Sequence, residues 1–314
     1  MARIAVIDLG TNTFHLLITE VGPDVMKTLY KEKIAVKIGQ NGISKGLIAK
    51  DAIKRAVQTL KIFKTIIDQF HVTHVNGVAT SAIRNAQNGH TLLDLIKEET
   101  GISIEIISGE KEAALIFEGV KSTNQMPLGI QLVMDIGGGS VEFVIGDANG
   151  IKWSKSFEIG AQRLLDRYHQ KDPIEQSSID SMNEWLTEQL EDLINAIKTH
   201  KPKGLIGCSG TFDTIKSVYT QEQKITPPKG AELFAIPLNA YQIIHKVLIS
   251  KTRAERLDIP GLVSMRVDMI VVASCLIHFV LEQLQIKEIT ACSFALKEGL
   301  LSESLDGNTF TDIK

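Results

Sequence analysis

One pattern occurs twice in this chain and constrains its fold more than any other feature. Ile4-Ala-Val-Ile-Asp8-Leu-Gly10-Thr-Asn-Thr13-Phe-His-Leu-Leu-Ile18 runs an apolar strand into an aspartate, a turn of small residues and a second apolar strand. Leu132-Val-Met-Asp135-Ile-Gly137-Gly-Gly-Ser140-Val-Glu-Phe-Val-Ile145 does the same. Each reads as a hairpin whose turn presents an aspartate and backbone N–H groups. A supersecondary unit used twice predicts two domains of one design, and 314 residues accommodate two. Aromatics make up only 5% of a chain that is 44% hydrophobic, so Ile, Leu, Val and Ala must build the core, which favours layered α/β structure.

Hydrophobic periodicity fills in each half. After the first hairpin, Met26 to Gly39 continues as a third strand, and Asp51 to Phe70 has helical spacing. His74–Ala79 is a strand, Leu92–Thr100 a helix, Ile102–Ile107 a strand and Glu110–Val120 a helix. The second half repeats three leading strands through Ile159. Helices are expected at Ala161–His169 and Ile174–Thr199, then a strand at Gly204–Gly207. Helices at Tyr241–Ser250 and Leu262–Leu284, a strand at Glu288–Cys292 and a helix from Ala295 complete it. The polar segment Ser122–Leu128, with Pro127, is the expected linker. It divides the chain into domains 1–124 and 125–314.

A net charge of −3 argues against binding a nucleic acid duplex through bulk charge, so any polyanion site must concentrate its positive groups locally. Cys208, Cys275 and Cys292 are few, odd in number and far apart. They form no disulfide framework and no zinc spacing, and buried reduced thiols fit the cytoplasm. Asp8, Asn12, His15 and Glu20 interrupt the apolar start, which lacks the layout of a signal peptide. The run Met269–Leu281 is too short to span a bilayer and reads as a buried helix, so no membrane association is expected.

Five segments carry polar chemistry. Three glycines at Gly137, Gly138 and Gly139, followed by Ser140, allow close backbone approach and an anion-binding nest, or simply a tight hairpin turn. Asp135 and Glu142 on either side are hard oxygen groups suited to magnesium. Thr11, Asn12 and Thr13, after Asp8, offer hydroxyls and an amide in the equivalent turn, and His15 reads as a satisfied structural histidine. Ala79-Thr-Ser-Ala-Ile-Arg84 lies at the carboxyl end of a strand, where α/β ligand sites collect. Arg84 is either a phosphate clamp or a surface arginine. Gly207-Cys-Ser209-Gly210-Thr211 runs a strand into a helix start, a place for N-capping or for an anion. In Ser108-Gly-Glu-Lys-Glu-Ala113, the glutamates partner a helix dipole, or one of them orients a water.

As an ordered set these segments resemble the exopolyphosphatase / guanosine pentaphosphate phosphohydrolase family, a branch of the sugar kinase–Hsp70–actin superfamily. Gly160-Ala-Gln-Arg-Leu164 and Leu296-Lys-Glu-Gly-Leu300 extend the likeness almost end to end. The resemblance implies two actin-like, ribonuclease H-like α/β domains with an interdomain cleft. It also implies release of terminal orthophosphate from polyphosphate or related phosphoanhydrides by magnesium-assisted attack of water. Glu112, just before Ala113, takes the position of the catalytic glutamate, with Glu110 a neighbour. Asp135 and Glu142 match the metal-associated acids. Arg84 and Asn12 match phosphate contacts, joined by Asp8, Thr11, Thr13, Gly137–Ser140, Ser209, Gly210 and Thr211. Lys297 stands where arginine is frequent and lacks its bidentate fork. Arg163, Arg253, Arg256 and Arg266 are further cations for substrate. Longer members carry additional helical domains, so the chain reads as a short form with distributive release. A guanosine pentaphosphate phosphohydrolase, a non-catalytic alarmone sensor and a kinase or ATPase of the superfamily are the rival readings. Oligomeric state is open, a homodimer included.

Overall fold

A computed structural model of the chain describes residues 2–22, 25–305 and 311–312. The chain forms two compact units, Met1–Gly119 with Leu296–Lys314, and Val120–Ala295.

In the first unit, β1 (Ala2–Leu9), β2 (Phe14–Gly22) and β3 (Val25–Ile34) form an antiparallel meander. Helix α1 (Lys50–Gln69) follows, burying Ala52, Ala56, Thr59, Leu60, Phe63 and Ile67 at the three- and four-residue spacing of one face. Strand β4 (His74–Ala79) then returns parallel to β1, and the short helix α2 (Ser81–Arg84) caps its carboxyl end. Helix α3 (Gly89–Thr100), strand β5 (Glu105–Ile106), parallel to β4, and helix α4 (Gly109–Lys121) complete the pattern. The third strand stops at Ile34, short of the expected Gly39, because residues 36–39 turn back onto the first hairpin. The expected strand Ile102–Ile107 pairs only over Glu105–Ile106.

The second unit repeats this order. Strands β6 (Gln131–Ile136), β7 (Val141–Asp147) and β8 (Gly150–Phe157) form the meander, with β6 buried at every position as a central strand requires. Helices α5 (Ala161–Tyr168), α6 (Gln176–Gln189) and α7 (Glu191–His200) lead to β9 (Gly204–Cys208), parallel to β6. The single helix expected over Ile174–Thr199 is broken at Leu190, whose φ of −103° and ψ of 19° leave the helical region. Leu186, Leu190 and Leu193 are all buried, so the break keeps the apolar stripe on the core. Helix α8 (Ser209–Glu222), strand β10 (Leu233–Pro237), and helices α9 (Leu238–Ser250), α10 (Arg253–Leu257) and α11 (Met269–Glu282) follow. Helix α11 is buried almost throughout, as its composition predicts, and the residues before it, Ser264–Arg266, form a separate 3₁₀ turn. Strand β11 (Glu288–Cys292) pairs parallel to β9, with β10 antiparallel on its other side.

The orders β3-β2-β1-β4-β5 and β8-β7-β6-β9-β11 share every strand direction, which is the actin-like, ribonuclease H-like topology built twice. The division expected at 124/125 falls at 119/120, and the chain crosses back once. Helix α12 (Leu296–Leu305) belongs to the first unit, as does β12 (Thr311–Asp312), which pairs antiparallel with β4. Gly299 explains the helix's place: a Cβ there would collide with the Leu115 carbonyl of α4, so only glycine lets the two backbones meet. Asn76 donates to the Ser304 hydroxyl at 3.0 Å, and Lys111 pairs with Glu303. Among the described residues no helix is long and apolar enough to cross a membrane.

Candidate active site

In the first unit the predicted residues gather beyond the carboxyl ends of the parallel strands β1, β4 and β5. The Gly10 N–H donates to the Thr13 carbonyl at 3.2 Å and closes the hairpin turn. Thr11 and Asn12 are buried, Asp8 is half-buried, and the Thr13 hydroxyl lies 3.0 Å from His15 Nε2, so the histidine is satisfied within the turn. The Thr80 N–H donates to the Leu9 carbonyl at 3.4 Å, bringing the start of α2 beside the end of β1.

Arg84 is the last residue of α2. It donates from Nη1 to the Ile107 carbonyl at 3.1 Å and to Glu112 Oε2 at 2.9 Å. Only 16% of the arginine side chain and 8% of the glutamate side chain are exposed. The sequence assigns these residues separate tasks, and the structure pairs them. The bond fixes where the Glu112 carboxylate points, and with both side chains largely buried the loss of either partner would leave a buried charge uncompensated. Glu110 is exposed. Hydrogen bonds from its own N–H and from Ser108, with Arg84 nearby, hold its carboxyl below the ordinary glutamate range. It behaves as a helix-start acid.

In the second unit Asp135 and Glu142 are register partners on β6 and β7, so their side chains share one face of the sheet. Both are buried, at 6% and 2% exposed. Ser209 Oγ donates to Asp135 Oδ2 at 2.7 Å, and Ser156 Oγ, opposite Glu142 on β8, donates to Glu142 Oε1 at 2.7 Å. Sequence spacing could not show Ser156, which comes next to the site only through strand register. Two carboxylates opposite each other on one face of a sheet repel when both are ionised. The pair therefore suits a hard divalent ion that takes one or two carboxylates and completes its shell with water and phosphate. Among the described residues no group of three or more metal-binding side chains forms an all-protein cage.

The three glycines between these acids are braced from behind. Gly160, Ala161 and Gln162 donate their N–H groups to the carbonyls of Gly139, Gly137 and Gly138 at 2.9 to 3.0 Å. Arg163 Nε donates to the Gly139 carbonyl at 2.8 Å and Nη2 pairs with Glu158 at 2.9 Å. Gly160 sits against the backbone of Gly138 and Gly139, where any Cβ would clash. Gly160-Ala-Gln-Arg163 thus binds the carbonyl side of the turn. Ser140 is buried at the turn's end.

Ser209, Gly210 and Thr211 open α8 directly after β9. Ser209 has φ 65°, a left-handed conformation unusual for a residue with a side chain. The Arg266 guanidinium occupies the space that a Cβ at Gly210 would take. Burial pushes its pKa down, opposed by the charges of Asp213 and Asp135. Of the four arginines expected to be available to substrate, three have other partners. Arg163 braces the glycine turn, Arg253 pairs with Asp268, and Arg256 is fully buried against Asp172. Lys297 pairs with its neighbour Glu298 at 3.2 Å. The cysteines are free and buried, and a hydrogen bond to Cys292, with burial, raises the Cys208 thiol well above its ordinary range.

Residues 17–308 match the model of the Ppx/GppA phosphatase family. The chain belongs to that family. It is 46% identical to an exopolyphosphatase from Cytophaga hutchinsonii, whose crystal structure superposes with a TM-score of 0.94 over 98% of this chain and 99% of that one. A Ppx/GppA family member from Aquifex aeolicus is 25% identical, with a TM-score of 0.80 over 98% and 99% of the two chains. Exopolyphosphatase 1 of Mycobacterium leprae is 26% identical over 306 residues, which cover 97% of this chain and 90% of the relative. Ppx/GppA membership agrees with the family expected from the ordered motifs.

Proposed function

We propose that this Ppx/GppA phosphatase is an exopolyphosphatase that removes terminal orthophosphate from polyphosphate with magnesium as its cofactor. The observation that carries the reading is the pair of buried, register-opposed carboxylates, Asp135 and Glu142, flanking a three-glycine turn. Similarity to the Cytophaga hutchinsonii and Mycobacterium leprae exopolyphosphatases supports the choice of substrate. When bound to Asp135 and Glu142, magnesium would neutralise phosphate charge. The Gly137–Gly139 N–H groups and Ser140 bind phosphate oxygens, as do Asn12, Thr11 and Thr13, with Asp8 beside them. Ser209 holds Asp135 in place, and Gly210 and Thr211 add the helix-start N–H groups of α8. Glu112, aimed by Arg84, accepts a proton from water as the water oxygen bonds to the terminal phosphorus and the bridging P–O bond breaks. Positioning and charge supply most of the rate in such transfers. Buried reduced thiols fit a cytoplasmic setting.

The test is phosphate release measured across polyphosphate lengths and guanosine pentaphosphate, with Asp135→Asn as the companion. Release from polyphosphate, and a higher magnesium concentration at half-maximal rate in the variant, are the expected results. Release from the nucleotide alone would move the substrate assignment, and an unchanged magnesium midpoint would place the ion elsewhere.

A further inference from the structure

After β3 the chain closes onto the first hairpin turn through residues 36–39. Val36 and Ile38 are buried and Lys37 between them is exposed, so the lysine faces solvent where its neighbours face the core. Hydrogen bonds tie this short segment to the hairpin turn and to Arg55 of α1. The Lys37 N–H donates to the Asn12 carbonyl at 2.9 Å and the Gly39 N–H to the Thr11 carbonyl at 3.0 Å. Arg55 donates from Nε to the Val36 carbonyl at 2.8 Å and from Nη2 to the Lys37 carbonyl at 3.2 Å. Lys37 is thereby anchored to the backbone of Asn12 in the left-handed region, at φ 51°, where a side chain is unfavourable and glycine would be at ease.

Nothing in the fold rewards a lysine at this position. Its side chain is exposed, and it makes no ion pair among the described residues. Seven described residues other than glycine have positive φ, and Lys37 is the one of them whose N–H bonds the Thr11–Thr13 turn; left-handed side chains cluster at ligand sites. The neighbouring turn, Thr11–Thr13, carries hydroxyls, an amide and N–H groups but no cation of its own. In a protein of net charge −3, a positive group at that spot must be supplied locally.

We propose that Lys37 is a phosphate-binding residue, supplying the positive charge for the phosphoanion held by the Thr11–Thr13 turn. A lysine suits a chain of changing length, because its ammonium is a mobile point charge with no fixed fork to match. The inference rests on the proposed function for its ligand class, and on the geometry of residues 36–39 for the residue.

The test compares Lys37→Met, Lys37→Arg and Lys37→Gly with the wild type, measuring calorimetric binding of tripolyphosphate, phosphate release and melting temperature. Met and Gly should weaken binding on the order of tenfold, the scale of one hydrogen bond to a charged group, while Arg retains it. The effect should shrink as salt rises. Lys37→Gly should melt at or above the wild-type temperature, because it relieves the left-handed backbone; a lysine needed only for folding would give the reverse. Wild-type affinity in the Met and Gly variants overturns the inference, as does an Arg variant as weak as Met. A wild type that binds tripolyphosphate but releases no phosphate would sink the hydrolase reading and still test Lys37. A wild type that does not bind it at all would sink Lys37.

Discussion

The two hairpin turns share topology and differ in almost everything attached to it. The Asp8 turn uses Thr11, Asn12 and Thr13 and is held by residues 36–39, whose N–H groups bond its carbonyls. The Asp135 turn uses three glycines and is held by Gly160–Gln162 at the start of α5, again through N–H groups bonding its carbonyls. In each unit, a segment following the three-stranded meander covers the carbonyl side of the turn. The repeat therefore keeps one way of stiffening the turn and lets the side chains diverge. The first unit carries the Arg84–Glu112 pair and the second the Asp135–Glu142 pair.

The largest expected break in this division of labour is Glu112→Gln. The amide keeps the size of the carboxylate but cannot accept a proton from water. Phosphate release should fall by roughly 10²–10⁴-fold, with binding of tripolyphosphate retained. Release near the wild-type rate would remove Glu112 from the chemistry and leave its bond to Arg84 as a structural contact.

Much of this division was legible in the sequence, because it is written in local patterns. Strand, aspartate, small-residue turn and strand give the hairpins, and their repetition gives two domains. The motif order gives the family. What stayed hidden depends on contacts between distant segments. Helix α12 follows β11 in sequence yet belongs to the first unit, and Gly299 reveals why only once Leu115 is seen beside it. The Arg84–Glu112 pair needs α2 and α4 to meet beyond β4 and β5. Ser156 reaches Glu142 only through strand register. Arg163 reads as a cation for substrate until its bonds to Gly139 and Glu158 are known.

A second prediction tests whether the two braces are equally tight. Gly160→Ala places a methyl group against backbone atoms of Gly138 and Gly139, which cannot move without distorting the turn. Overpacking of this kind costs about 1–3 kcal/mol, and rigid backbone neighbours put this site at the upper end. Gly39→Ala instead meets a single side-chain methyl group, Thr11 Cγ2, with Ile43 at ordinary contact distance, and it stiffens the unfolded chain. It should cost less than about 1 kcal/mol. Denaturant unfolding of both variants decides the matter. Equal losses would show that the first brace is as unyielding as the second.

The smallest effect concerns the one site residue of the second unit that, like Lys37 in the first, holds a side chain at positive φ. Ser209, at φ 65°, donates to Asp135 Oδ2 at 2.7 Å, so its strain has a visible partner in the fold where that of Lys37 has none. Ser209→Ala loses the hydrogen bond and keeps the strained Cβ. Ser209→Gly loses the same bond and relieves the strain. Both should be less stable than the wild type, since a hydrogen bond to a charged group contributes about 1.5–3 kcal/mol. Glycine should recover about 1 kcal/mol of that loss, the weight of one left-handed residue. The measurement is the difference between the two variants in urea unfolding. Glycine more stable than alanine means that the fold tolerates strain at Ser209 to hold the Asp135 carboxylate. Equal stabilities would mean that the left-handed turn at the start of α8 carries no strain, and the parallel with Lys37 would then fail on the side of the second unit.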